Sequence, residues 1–191
     1  MSLTLPVLYG SVRSERQGIT LARHVTEALR ARGHDAPLID PIEFRLPLLD
    51  KMYKEYKGDA PPVLAELAGI YARADGFVIV SGEYNHGVPP ALKNLLDHFL
   101  EEYFWRPSAI VSYSAGSFGG VRAAMQLRMT LGELGMPSIP STFPVPAIGK
   151  AFGEDGKPAD EKFERRFDKF ARELEWYAEA LKAKRAEGVP Y

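Results

Sequence analysis

The sequence predicts a doubly wound α/β domain, a parallel sheet of five strands with helices on both faces. Short apolar runs rich in β-branched residues, PVLY, GFVIV and SAIVSY, have the character of strands buried on both sides. Segments of helical periodicity separate them, and the strand–helix alternation repeats five times along the chain. Right-handed crossovers then leave few topologies.

Pro6 to Tyr9 reads as a buried strand that begins late, because proline fits only at a strand's first position or at an edge. From Gly18 to Arg32, Ala22, Val25 and Leu29 recur at helical spacing, and Gly33 ends the run. Asp35 to Ile39 carries Pro37 in its middle, which makes it an edge strand. Ile42 to Pro62 is irregular and reads as a long surface loop, of the kind that serves function or meets a partner. Val63 to Arg73 is helical, and Gly76 to Val80 is the strongest buried strand. A helix from Pro89 to Tyr103 is entered through two prolines. Ser108 to Tyr113 is a strand, Val121 to Leu134 a helix, and Ser138 to Phe143 the last strand. Asp160 to Glu187 is a long helix with Phe163, Phe167, Phe170, Leu174, Tyr177 and Leu181 on one stripe. A central first strand beside an edge second strand fits the flavodoxin-like order 2-1-3-4-5. With no repeats or linkers, residues 1–191 read as a single domain.

At 191 residues the chain can bury a core without staples. Hydrophobic residues make up 46% and charged residues 26%, which excludes a disordered chain. The net charge of −1 favours neither nucleic acid nor an anionic membrane surface. Cysteine is absent, so thiolate nucleophiles, disulfides and iron–sulfur ligation are excluded, and any redox chemistry must reside on a bound cofactor. No run approaches the roughly 20 apolar residues of a membrane span. The start, MSLTLPVLYG, lacks the features of an export signal, so a cytoplasmic setting is expected.

In an open parallel sheet, ligands bind outside the carboxyl ends of the strands, at the switch point. That rule selects GSVRSERQG (Gly10 to Gly18), SGEYNHGVPP (Ser81 to Pro90) and SAGSFGG (Ser114 to Gly120). The first loop opens a helix N-terminus, where free amides and the helix dipole favour an anion. Ser11 adds a hydroxyl, Arg13 and Arg16 add charge suited to a phosphate monoester, and Gln17 and Gly18 add donors in the first turn. A solvated, helix-capping arginine turn is the competing reading. In the second loop, Glu83, Tyr84 and Asn85 offer the polar edge and aromatic surface a planar heterocycle needs, although a simple strand-to-helix turn with a buried tyrosine accounts for them equally well. The glycines of the third loop, Gly116 and Gly119 among them, allow close backbone approach, while Ser114 and Ser117 could donate to a ring carbonyl. His86 and His98 lack partners at metal-ligand spacing, and no metal is expected. Nor is there a GxSxG nucleophile elbow. Tyr103, Phe104 and Trp105 form an aromatic run that is either core or, as the expectation favoured here, an exposed patch for a second subunit.

These residues resemble the NADPH-dependent FMN reductase family, a flavodoxin-like group of quinone, azo and chromate reductases. GSVR after the first strand, GEYNHGVPPALKNLLDH after the third and SAGSFGG after the fourth carry the resemblance, the middle segment most specifically. The chain departs from the family in Arg16, where serine is common, in Gly18 for asparagine, in Gly82 for proline and in Gly87 for serine.

The resemblance implies FMN as cofactor, with its phosphate held by Ser11, Arg13 and the turn through Arg16, Gln17 and Gly18. Glu83, Tyr84 and Asn85 would lie along the isoalloxazine, and Ser114, Ala115, Gly116 and Gly119 would close the other side. It further implies NADPH or NADH as hydride donor, a small acceptor (quinone, flavin, azo compound or metal oxyanion), and a homodimer or homotetramer. No side chain is expected to act as an essential acid or base, because the flavin carries the chemistry. The alternatives are a non-enzymatic flavodoxin-like electron carrier, usually strongly acidic, and a scaffold with an empty pocket.

Overall fold

A computed structural model describes all residues, Met1–Tyr191. Its sheet is wholly parallel in the order β2-β1-β3-β4-β5, formed by β1 (Val7–Tyr9), β2 (Leu38–Ile39), β3 (Phe77–Gly82), β4 (Ser108–Tyr113) and β5 (Ser138–Val145). The second strand lies at the edge, as expected, but it begins only after Pro37 and pairs through two residues. The helices are α1 (Gly18–Ala31), α2 (Pro41–Phe44), α3 (Pro62–Ala72), α4 (Pro90–Asp97), α5 (Val121–Glu133) and α6 (Phe163–Ala186).

Side chains alternate across the sheet with the period of two that strands impose. Val7, Tyr9, Val78, Val80, Val111 and Tyr113 face α1 and α6, while Leu8, Phe77, Ile79 and Ile110 face α3, α4 and α5. The stripe on α6 packs Phe163, Phe167 and Phe170 around Phe143 of β5, with ring centroids 5.0–5.6 Å apart. Its later members, Tyr177 and Leu181, are only partly buried.

Three expectations need correction. The segment from Ile42 to Pro62 is not simply an irregular surface loop. It contains α2 and a 3-10 turn at Tyr53–Tyr56, and it packs Phe44, Leu46, Tyr53 and Tyr56 against the α3–α5 face. Asn94 of α4 pins it by accepting from the Leu49 amide and donating to the Pro47 carbonyl. The helix expected to run to Tyr103 stops at Asp97, where the buried His98 ring donates through Nδ1 to the Asn94 carbonyl at 2.7 Å and competes with the helical ladder there.

The aromatic run is not one exposed patch. Tyr103 is fully buried among Tyr71, Phe77 and Phe99. Trp105 takes a left-handed φ of 64°, so the three rings diverge, and Phe104 and Trp105 are half-buried under Tyr191. The run therefore gives no support to a subunit interface.

The C-terminal end of α1 and the turn after it are tied to α6 by ion pairs. Arg32 donates to both Glu175 oxygens, at 2.6 and 2.8 Å, and to Asp168 at 2.6 Å, and His34 also meets Glu175. Burial raises the Glu175 pKa, but the bonds from Arg32 and His34 outweigh it and hold the carboxyl below its usual 4.5. Its contribution to stability is thus complete above that value and is lost as pH falls through the lowered one. Arg32→Ala should cost about 1–2 kcal/mol at neutral pH, because the network is only partly exposed. Urea titrations at neutral pH and near pH 4 should show the variant's deficit shrinking on the acid side.

Candidate active site

The carboxyl ends of β1, β3 and β4 open onto a cleft of about 300 Å³. It brings together Ser11, Arg13, Arg16 and Gln17 from the first loop, Glu83 and Tyr84 from the second, and Ser114 and Ala115 from the third. Gly82 completes the lining together with Glu15, Tyr113 and Ile148, three residues that sequence reasoning did not single out.

The first loop turns directly into α1, whose first turn carries no acidic residue. The Arg13 amide bends back to Ser11 Oγ at 3.4 Å, whereas the amides of Glu15, Arg16, Gln17 and Gly18 meet no acceptor in the protein. Arg13 is exposed, has no carboxylate partner, and lies 6.0 Å from the centre of the Tyr84 ring. The expected roles of two neighbours change. Arg16 is not a free cation: its guanidinium pairs with the buried Asp40, which raises its pKa, and it also donates to the Ser11 carbonyl at 3.3 Å. Asp40 in turn caps α2 through the Ile42 amide. Ser11 is buried, and its hydroxyl lies 2.7 Å from the Tyr84 hydroxyl.

In the second loop Glu83 turns away from the cleft. Its Oε2 accepts from the amides of Arg122 and Ala123 at 2.9 and 3.1 Å, capping α5, whose N-cap Gly120 has no side chain for the task. Glu83 can therefore present only backbone to a ligand. Tyr84 and Gly87 exchange both backbone hydrogen bonds around Asn85 (φ 48°) and His86 (φ 65°), the left-handed pair of a type I′ turn. Asn85 consequently projects into solvent at the turn's tip, outside the cleft lining. Gln126 of α5 fixes the exit by accepting from the Val88 amide.

The third loop is fastened to the segment after β5, where the Ile148 amide donates to the Ser114 carbonyl and the Ala147 amide to the Gly116 carbonyl. Gly116 is exposed beside the cleft. Gly119 lies beneath it, with its carbonyl accepting from Ser112 Oγ at 2.7 Å. Gly18, too, proves to be a packing position. A Cβ there would stand 2.1 Å from Cζ of Tyr113, and one on Gly82 would stand 3.0 Å from the same atom. Tyr113 donates to Tyr9 at 3.2 Å, and burial pushes both phenols up, so both stay protonated throughout the working pH range.

Gly18→Ala should therefore destabilise the protein by about 2 kcal/mol or more through overpacking. Gly18→Ala combined with Tyr113→Val should be less unstable than the two single losses added together, with a coupling of about 1 kcal/mol in a chemical-unfolding cycle.

With this geometry in view, comparisons with known proteins are specific. The family model described as NADPH-dependent FMN reductase matches residues 3–150. An NAD(P)H-dependent FMN reductase of Schizosaccharomyces pombe is 36% identical over 145 residues, covering 71% of this chain and 68% of the relative. A quinone reductase of Pseudomonas putida is 31% identical over 167 residues, covering 82% of this chain and 85% of that one. Among solved structures, the flavoenzyme NAD(P)H:(acceptor) oxidoreductase FerB of Paracoccus denitrificans superposes with a TM-score of 0.74 at 21% identity, over 95% of this chain and 98% of that chain. The chain belongs to the NADPH-dependent FMN reductase family.

Proposed function

We propose that this chain, an FMN-dependent NAD(P)H oxidoreductase, seats the FMN phosphate on the loop from Ser11 to Gly18 and lays the isoalloxazine against the loops after β3 and β4. The observation that carries the reading is the set of unmet amides from Glu15 to Gly18 at the start of α1, beside an Arg13 without a carboxylate partner. That donor set suits a dianionic monoester, since amides, helix dipole and guanidinium all favour negative charge at one point. Gln17 adds a side-chain amide at the same rim. The backbone of Glu83, Tyr84 and Asn85 and the segment Ser114, Ala115 and Gly116 form the two edges between which a planar ring fits.

When bound, FMN supplies hydride acceptance and one- or two-electron donation. The side chains of this cleft bind and orient. Tyr9 and Tyr113, kept neutral by burial, hold the floor, and no side chain is assigned as an acid or base. NADPH or NADH is the donor, and a quinone is the first acceptor to try, because relatives at 31–32% identity are named quinone reductases. Flavins, azo compounds and metal oxyanions are further acceptors. The same reading takes residues 1–191 as one flavin-binding domain and the protein as a cytoplasmic homodimer or homotetramer. No helix is long and apolar enough to cross a membrane.

The test is a visible spectrum of the FMN-loaded protein before and after anaerobic NADPH. Bleaching that a quinone reverses, with steady NADPH oxidation when both are supplied, is the expected result. A flavin spectrum indifferent to NADPH would turn the reading toward an electron carrier, and failure to take up FMN would overturn it. Arg13→Ala should weaken FMN binding by about 10- to 100-fold, since a charged hydrogen bond contributes about 1.5–3 kcal/mol. Fluorescence titration at rising salt should show the wild-type advantage shrinking.

A further inference from the structure

Large apolar side chains left in solvent are ordinary when scattered and informative when they share a face. Twelve stand exposed in this chain, and four of them, Phe118, Val121, Met125 and Met129, follow one another along α5 and the loop that leads into it. The core uses the opposite side of α5, through Ala123, Ala124, Leu127 and Leu131. Met125, Met129 and Gly132 recur at helical spacing, so they line one outer face. Gly132 has no explanation within the chain: a Cβ there would meet nothing within 4 Å, and its φ is not left-handed. Alanine would suit helical backbone better by up to about 1 kcal/mol. A glycine on an outer face does suit the close approach of a second backbone. Arg122 flanks this face near its start and the exposed Glu133 near its end. Gln126 ties α5 to the entry of α4, and Asn94 of α4 holds the segment on which Leu48 and Leu49 stand exposed.

We propose that this face docks a second copy of the chain, with α5 lying antiparallel against the partner's α5 about a two-fold axis. An antiparallel pair sets Met125 against the partner's Met129 and leaves Gly132 facing the first turn of the opposite helix. It also brings the Arg122 end of each helix to the Glu133 end of the other, whereas a parallel pair would set like charges side by side. The helix dipoles favour the same arrangement. A two-fold contact needs one patch complementary to itself, and a basic start matched to an acidic end has that property. A stable dimer buries about 800 Å² on each partner, more than one helix stripe supplies, and Leu48 and Leu49 extend the apolar surface across α4. The inference rests on the homo-oligomer of the preceding reading and gives it a surface. That surface begins at Phe118 in the third loop but includes no residue that lines the cleft.

The experiment is sedimentation velocity over a range of protein concentrations, on wild type and on Met125→Lys, Met129→Glu and Gly132→Leu. Trp176→Glu, an equally exposed site on α6, serves as the control, and thermal unfolding checks that each variant is folded. Wild type should self-associate. Met129→Glu and Met125→Lys should each weaken association about 100-fold, because a lone charge is then buried in the contact, and Gly132→Leu about tenfold. Trp176→Glu should associate as wild type does. Mixing Met125→Lys with Met129→Glu should restore association, since only the antiparallel pair sets the new cation against the new anion. Wild type that associates while the α5 variants do so equally well would overturn the proposal and leave the homo-oligomer standing on another face. Failure of the mixture to recover would overturn the antiparallel pairing. Wild type that stays monomeric throughout would overturn the homo-oligomer reading itself, and the proposal with it.

Discussion

The ring of Tyr113 is the constraint around which the cleft is organised. It is the last residue of β4, and its phenol fills the space between the first residue of α1 and the last of β3. Neither neighbour has room for a side chain, which accounts for glycine at both Gly18 and Gly82. Helix α1 can thus begin close against the sheet edge, with its first amides directed at the cleft. The same ring hydrogen-bonds Tyr9 and so fixes the floor on which Ser11 and Tyr84 meet. A smaller residue at position 113 would leave a void beneath the first loop. A larger one at position 18 or 82 would push the loops apart.

Charge within the cleft is arranged by subtraction. Asp40 lies behind the first loop and is neutralised by Arg16, and Glu83 in the second loop is satisfied by the N-terminus of α5. Each carboxylate is nearly buried and matched, so neither projects negative potential toward the ligand. Glu15 is the exposed exception on the lining. What remains unmatched is positive: Arg13 and the amides at the start of α1. A net charge of −1 for the whole chain is therefore compatible with a local anion site, because the field that matters is set by which charges are paired and not by their sum.

The sheet, its order and the three loops were legible in the sequence because each depends on local pattern. Continuous apolar runs mark buried strands, Pro37 marks the edge, and the switch-point rule follows from strand order alone. The partners of individual side chains were not legible, since they come from far along the chain. Arg16 meets Asp40 twenty-four residues away, Glu83 meets α5 about forty away, and Ser11 meets Tyr84 seventy-three away. Residue type suggested an anion ligand in Arg16 and Ser11, and tertiary contact adds a buried carboxylate partner to the first and a phenol partner to the second. The type I′ turn at Asn85 and His86 had a readable signal, an asparagine two residues before glycine after a strand, but the family pattern drew attention to a ligand role instead. Nothing local marks the left-handed backbone of Trp105, which splits the aromatic run.

The wall of the cleft beyond the third loop is supported from a distance. The segment after β5 holds Ser114 and Gly116 through the amides of Ile148 and Ala147, and it has little regular structure of its own. Its stiffness comes from α6. Arg166 donates to the Pro144 carbonyl at 3.0 Å and lies over the Phe143 ring, while Phe163 packs against Phe143 and Phe152 on either side of the segment. The Ala159 amide closes back on Ala151 just before the helix begins. Helix α6 is thus both one face of the core and the buttress of a cleft it never touches, because burial of its phenylalanines fixes the backbone that carries the loop. Loosening that packing would reach the third loop through Ile148 and Ser114 while leaving every charged group of the first loop in place.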